Sequence, residues 1–307
     1  MADEGLSIRN TEMQMNKNNV ELIASYWTIA GDTYPGAPSE ISPYSLQQRA
    51  EAASKAGWKG MGLVFEDIVS AVQKQGMSTV RKIFDDNGIT HREVEFLVDW
   101  HLQGERRAFS DNIRDQLLDI AGELGATRIK GAGGLFEEGD PDVPVMREAF
   151  AVWCDKAAAY GVDVALEFLP FSSVNTIDKA LAVTQGVRPN GGVLVDTWHV
   201  ARGGMSYDEI AKIPVDLIKG VELNDADATL VGDFFNDSTH HRKLCGEGDL
   251  NTAAFIQAIV DRGYTGAYGV EIISKELRAM PLEVAAKRVF ETTMAQFENI
   301  RFPEVAA

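Results

Sequence analysis

Short apolar runs alternate with longer amphipathic stretches about eight times along this chain, at intervals of roughly 30–45 residues, the pattern of repeated βα units on a parallel sheet. The runs predict strands at Val20–Ser25, Gly60–Val64, Arg92–Leu97, Thr127–Lys130, Asp163–Phe168, Gly192–Asp196, Lys219–Leu223 and Ala267–Ile272. Between them, apolar residues at helical spacing predict helices at Ser45–Ala56, Ile68–Asp86, Ser110–Leu124 and Pro144–Tyr160, then at Ile177–Gly186, Tyr207–Lys212, Thr252–Arg262 and Leu282–Phe297. Several of these helices stop at a glycine before the next strand, as in Ala56-Gly57 and Leu124-Gly125, where a left-handed residue closes the helix.

Eight strands and eight helices favour a closed (β/α)8 TIM barrel over an open doubly wound sheet. An open sheet handling a dinucleotide should carry GxGxxG after its first strand. This one reads "SYWTIAGDTYPGAP" there, and the glycine-rich "KGAGG" follows the fourth strand instead. No linker-like composition divides the chain. We expect a flexible lead-in over residues 1–19, one barrel domain over 20–300 and a tail over 301–307; single barrels run about 250 residues, so the length fits.

Chemistry in such a barrel belongs at the C-terminal ends of the strands. The fifth run, "DVALEFLP", carries Glu167; the sixth, "GGVLVDTWH", ends at Asp196. The seventh, "IKGVELND", carries Glu222, and the eighth, "AYGVEII", carries Glu271. A carboxylate within an apolar strand costs several kcal/mol unless its charge is compensated. Four that converge repel one another unless protons or a cation lie between them. A hard divalent ion with oxygen ligands, Mn²⁺ or Mg²⁺ rather than Zn²⁺, is the natural partner. The bland alternative pairs each acid with a local Lys or Arg.

Composition narrows the partners. The formal charge is −17, from 46 acidic against 29 basic residues, which repels a phosphate backbone and argues against nucleic acid. No run reaches the roughly 18 consecutive apolar residues of a membrane helix. The N-terminal segment lacks the apolar core of a signal peptide, and Cys154 and Cys245 form no CxxC pair. Together these predict a cytoplasmic location.

On these residues the chain resembles the sugar phosphate isomerase/epimerase group of xylose isomerase-like barrels, which includes ketose 3-epimerases and inosose dehydratases. The resemblance runs from about Val20 to Phe297 and is strongest from Gly161 to Ile273. It implies metal ligation by Glu167, Asp196 and Glu271. The group's strand-seven signature is similar to "HVHLKD", whereas this chain reads "GVELND", so Glu222 stands where imidazole is usual. The D-x-x-H unit of "DTWH" implies substrate contact by His199, with loop capping as the structural alternative. Arg242, in "RKLCGEG", resembles the group's R-x-x-x-G-x-G loop, and its guanidinium suits substrate oxygens.

Other candidates come from position alone. Lys130, at the end of the fourth strand, is expected either to hold an anionic substrate group or to neutralise the carboxylates. Of the adjacent His240 and His241, the latter is favoured to face the site. Trp27, at the end of strand one, and Trp198 suit the apolar face of a sugar, or the core. His101 is read as a structural histidine, and Glu247 and Asp249 as turn and cap residues. The resemblance implies metal-dependent isomerisation or epimerisation of a small-molecule carbohydrate through an enediolate, with Glu167 and Glu271 exchanging the proton. The alternative is a lyase, either a dehydratase or one eliminating a C-linked or β-linked aglycone, on a keto-sugar or keto-inositol. An abasic-site endonuclease would need more than the five histidines present and a basic groove. The resemblance leaves room for a homo-oligomer, dimer or tetramer.

Overall fold

The computed structural model describes residues 16–303, so the expectations for residues 1–15 and 304–307 lie outside the described residues. Eight parallel strands close into a barrel. They are β1 (Leu22–Ala24), β2 (Gly60–Val64), β3 (His91–Leu97), β4 (Arg128–Ala132), β5 (Asp163–Glu167), β6 (Gly191–Asp196), β7 (Ile218–Leu223) and β8 (Tyr268–Val270). Neighbours in sequence are neighbours in space, and β1 pairs with β8 to complete the circle.

Local signals set most boundaries. Ser45 forms a capping box with Gln48 and starts the helix Leu46–Ala56. That helix ends at Gly57, whose φ of +110° only glycine adopts readily. The single helix predicted over Ile68–Asp86 is instead two, Phe65–Gln75 and Met77–Asp86, because Gly76 takes a φ of +79° between them. Its apolar spacing continues across the break, which hides the break from periodicity. Tyr207–Lys212 is a 3₁₀ helix. Four elements at the strand exits were not predicted: the short helices Tyr26–Ile29, Thr197–Arg202, Phe234–His240 and Lys275–Arg278. A two-stranded ribbon, Asp225–Ala226 against Arg242–Lys243, was also missed. Each is too short to carry a readable period.

The apolar core fills the layer between barrel and helices, with Trp58, Trp153, Phe150 and Leu117 fully buried in it. The lumen is different. Glu93 and Glu95 on β3, Arg128 and Lys130 on β4 and Glu222 on β7 form ion pairs across it. Inward positions of such barrels are more often bulky and branched. Here they carry charge, and that charged column ends at the site.

No described helix is long and apolar enough to cross a membrane.

Candidate metal centre

Register explains why acids from four strands meet. Asp196 lies directly opposite Glu222 across the β6–β7 pair, and Glu222 opposite Gly269 across β7–β8, two residues before Glu271. Glu167 is the last residue of β5. Carboxylate oxygens of Glu167, Asp196, Glu222 and Glu271 consequently lie within 4.8 Å of one another, and all four residues are buried. A second, overlapping set of the same compactness joins Glu167 and Asp196 to His199.

Each carboxylate has a different environment. Asp196 caps the helix Thr197–Arg202, accepting from the His199 amide on Oδ1 at 3.0 Å. Its Oδ2 accepts from Asn224 Nδ2 at 2.7 Å and from Arg242 Nη1 at 3.1 Å. Glu222 Oε1 accepts from Ser25 Oγ at 2.6 Å and from Lys130 Nζ at 2.8 Å, which leaves Oε2 as the oxygen available to a cation. Glu271 Oε2 lies 3.0 Å from Arg242 Nη1. Glu167 Oε1 is 3.0 Å from His199 Nε2, and this buried atom accepts no hydrogen bond.

The charges follow. Burial, then the negative charges of Glu222 and Asp196, raise the Glu167 carboxyl well above the usual carboxylate range. Burial and the Glu222 charge do the same to Glu271. Burial also acts on Glu222, but Lys130 and the Ser25 hydroxyl outweigh it and hold its pKa below the usual value. Burial pushes His199 down to about 4, helped by Arg242 and opposed by Asp196, so the imidazole is neutral at pH 7. Four carboxylates face two cations, Arg242 and Lys130, and Lys130 is shared with Glu95 at 2.6 Å. A divalent ion would supply the missing positive charge, and an unpartnered carboxylate oxygen already lies among the donors. An all-oxygen set suits Mn²⁺ or Mg²⁺, whereas the set containing His199 suits zinc equally.

The remaining predicted residues are placed as follows. Arg242 is fully buried inside the carboxylate group, with its guanidinium over the Trp198 ring at 5.4 Å and Nη2 donating to Ser238 Oγ at 3.0 Å. Lys130 sits below the group rather than at the strand end, because β4 continues two residues past it. Trp27 packs with Tyr26, Ala30, Val64 and Ile273 in a small satellite cluster. His241 is half-buried and bridges Ser274 through the backbone, outside both sets of donors. His101 is buried with Nε2 3.2 Å from Glu137. Arg288 pairs with Glu247 at 2.8 Å, and Asp249 Oδ2 accepts from the Ala228 amide.

Sequence reasoning passed over Glu95, Ser25, Asn224 and Asp237. Glu93 and Glu95 stand at alternate positions of the apolar strand "HREVEFL", a period-two signal that two acids face one interior. Asn224 follows Glu222 by two residues, which was equally readable. Asp237 accepts from Trp198 Nε1 and Arg202 Nε, both at 2.9 Å, and the short helix Phe234–His240 that carries it has no readable period in the sequence.

Comparison with known proteins agrees with this architecture. The profile described as Xylose isomerase-like TIM barrel matches residues 50–295. An inosose isomerase of Halalkalibacterium halodurans is 31% identical over 141 residues, 45% of this chain and 49% of that protein. A 3-dehydroshikimate dehydratase of Pseudomonas putida is 26% identical over 245 residues, 77% of this chain and 37% of that protein. The chain thus spans about half or less of the length of these curated relatives. Among solved structures, the IOLI protein with a bound zinc atom superimposes with a TM-score of 0.79 at 17% identity, over 92% of this chain and 99% of that one. An L-ribulose 3-epimerase does so with a TM-score of 0.70 at 16% identity, over 91% and 95%. The profile match covers most of the length, and the chain belongs to the xylose isomerase-like TIM barrel family.

Proposed function

We propose that this protein is a divalent-metal-dependent isomerase or epimerase of a sugar or sugar derivative. The observation that carries the reading is the set of four buried carboxylates with oxygens within 4.8 Å of one another. Glu167, Asp196, Glu222 and Glu271 hold the ion, Mn²⁺ or Mg²⁺. When bound, it supplies positive charge where negative charge develops on neighbouring substrate oxygens.

The chain's own groups do the rest. Glu167, at the end of β5, and Glu271, just past β8, take a carbon-bound proton beside a carbonyl and return it. Glu222, tied to Lys130 and Ser25, stays ionised and serves as a fixed ligand. Neutral His199 and Arg242 flank the acids and orient substrate hydroxyls. The rigid strand ends hold these groups in register, where small displacements are costly in rate.

A dehydratase or related lyase is the second reading, favoured by the similarity to 3-dehydroshikimate dehydratases over 77% of the chain. Both readings begin with the same proton removal. Mn²⁺-loaded protein incubated in D₂O with keto-sugars and keto-inositols separates them. Deuterium entering the carbon beside the carbonyl, with no loss of water, supports the isomerase. An ultraviolet-absorbing enone supports the lyase, and neither product with any such compound would sink both.

A further inference from the structure

Beside the carboxylates, aromatic rings from the segments after four successive strands form one file. Phe136 follows β4, Phe171 follows β5, Trp198 and His199 follow β6, and Phe235 lies on the helix after β7. They are in contact. Phe171 lies 6.4 Å from both the Trp198 and His199 rings, 5.9 Å from Phe235 and 5.6 Å from Phe136, with which it stacks at 24°. Phe136 also meets Phe235 edge-on at 5.3 Å. The inner end of this file is His199, beside Glu167; the outer end is Phe136, with 61% of its surface exposed.

Two features separate this collar from simple loop packing. A ring that only staples loops together would be buried, and Phe136 is among the most exposed large apolar residues described. Its backbone also has a φ of +59°, a left-handed conformation that non-glycine residues seldom adopt. Hydrogen bonding holds it there: the Phe136 amide donates to Phe171 O at 2.8 Å, and Leu135 bridges Ser172. The chain thus fixes an aromatic face in the open, next to its site. The next residue, Glu137, adds a half-exposed carboxylate beside it, backed by His101.

We infer that this collar is a subsite for an aromatic ring carried by the substrate, so that the preferred substrate is an aryl-substituted sugar derivative and not a free monosaccharide. The inference rests on the sugar-directed reading above and extends it. A monosaccharide held against the carboxylates spans about one step of the aromatic file. Reaching Phe136 takes a second ring, and a planar aromatic ring can stack on Phe136 or Phe171 with either face, whereas a sugar has at most one largely apolar face to offer.

Equilibrium binding tests this without turnover. Mn²⁺-loaded protein is titrated calorimetrically with 4-nitrophenyl β-D-glucopyranoside and with methyl β-D-glucopyranoside. The aryl compound is expected to bind at least about tenfold more tightly. Phe136→Ala, at an exposed position, and Phe235→Ala should each cut that preference several-fold while the far-ultraviolet circular dichroism is unchanged. Equal affinities, no binding of either glucoside, or a preference that survives both substitutions would overturn the subsite. Deuterium exchange on keto-sugars is a separate readout. Its absence with the aryl preference intact sinks the isomerase reading alone, and the converse sinks the subsite alone.

Discussion

Glu167, Asp196, Glu222 and Glu271 share a charge type and a neighbourhood, yet their partners give them different work. Glu222 is anchored by Ser25 and Lys130, Asp196 by Asn224, Arg242 and the His199 amide, whereas Glu167 Oε1 has no partner. Glu167→Gln and Glu271→Gln are therefore expected to lower kcat by about 10²–10⁴-fold, the usual loss on removing a positioned acid or base. Mn²⁺ content measured beside kcat separates proton transfer from ion loss, and full turnover in both variants would end the assignment. Lys130 is the counter-ion of the lumen, within 2.8 Å of both Glu95 and Glu222. Lys130→Met strands those buried carboxylates and should cost about 3–5 kcal/mol in urea denaturation. A loss below about 1 kcal/mol would mean that protons already neutralise them.

Short elements at the strand exits, not the long helices, position the site. Asp196 both ends β6 and caps the helix Thr197–Arg202, which brings His199 back over Glu167. The helix Phe234–His240 supplies Asp237, which fixes Trp198 and Arg202, and Trp198 in turn lies under Arg242. The long helices carry ordinary stabilising signals. Ser45→Ala removes the capping box of Leu46–Ala56 and should cost about 1 kcal/mol, seen as a lower denaturation midpoint with an unchanged slope. The carboxylate positions were legible because an acid inside an apolar strand breaks the strand pattern. The short helices were not, since four to seven residues carry too little period to distinguish a helix from a loop.

The whole molecule joins an apolar shell to a charged lumen, and metal should link the two energetically. Because the carboxylates repel without an ion, Mn²⁺ at a hundred times its Kd should stabilise the fold by about 2.7 kcal/mol, reversed by a chelator. An unchanged Tm on adding Mn²⁺ would remove the metal centre. The shell makes its own prediction. Burial pushes the Cys154 and Cys245 thiols up to about 12. A thiol raised when folded contributes stability that is complete below its ordinary value of 9.0 and is lost as pH rises toward about 12. Native protein at pH 8 should resist thiol alkylation until denatured, and prompt labelling would place these cysteines outside the shell.

Local chemistry determined the repeating βα order, the barrel and the four acids, because hydrophobic period and buried charge are properties of neighbouring residues. The sequence could likewise nominate Lys130 and Arg242 as site residues. Only the closed barrel decided what they touch. Lys130 faces Glu95 and Glu222 from strands 35 and 92 positions away, and Arg242 reaches Asp196 across 46. Such distances in sequence carry no pattern, and register across the strands turns separate acids into one site.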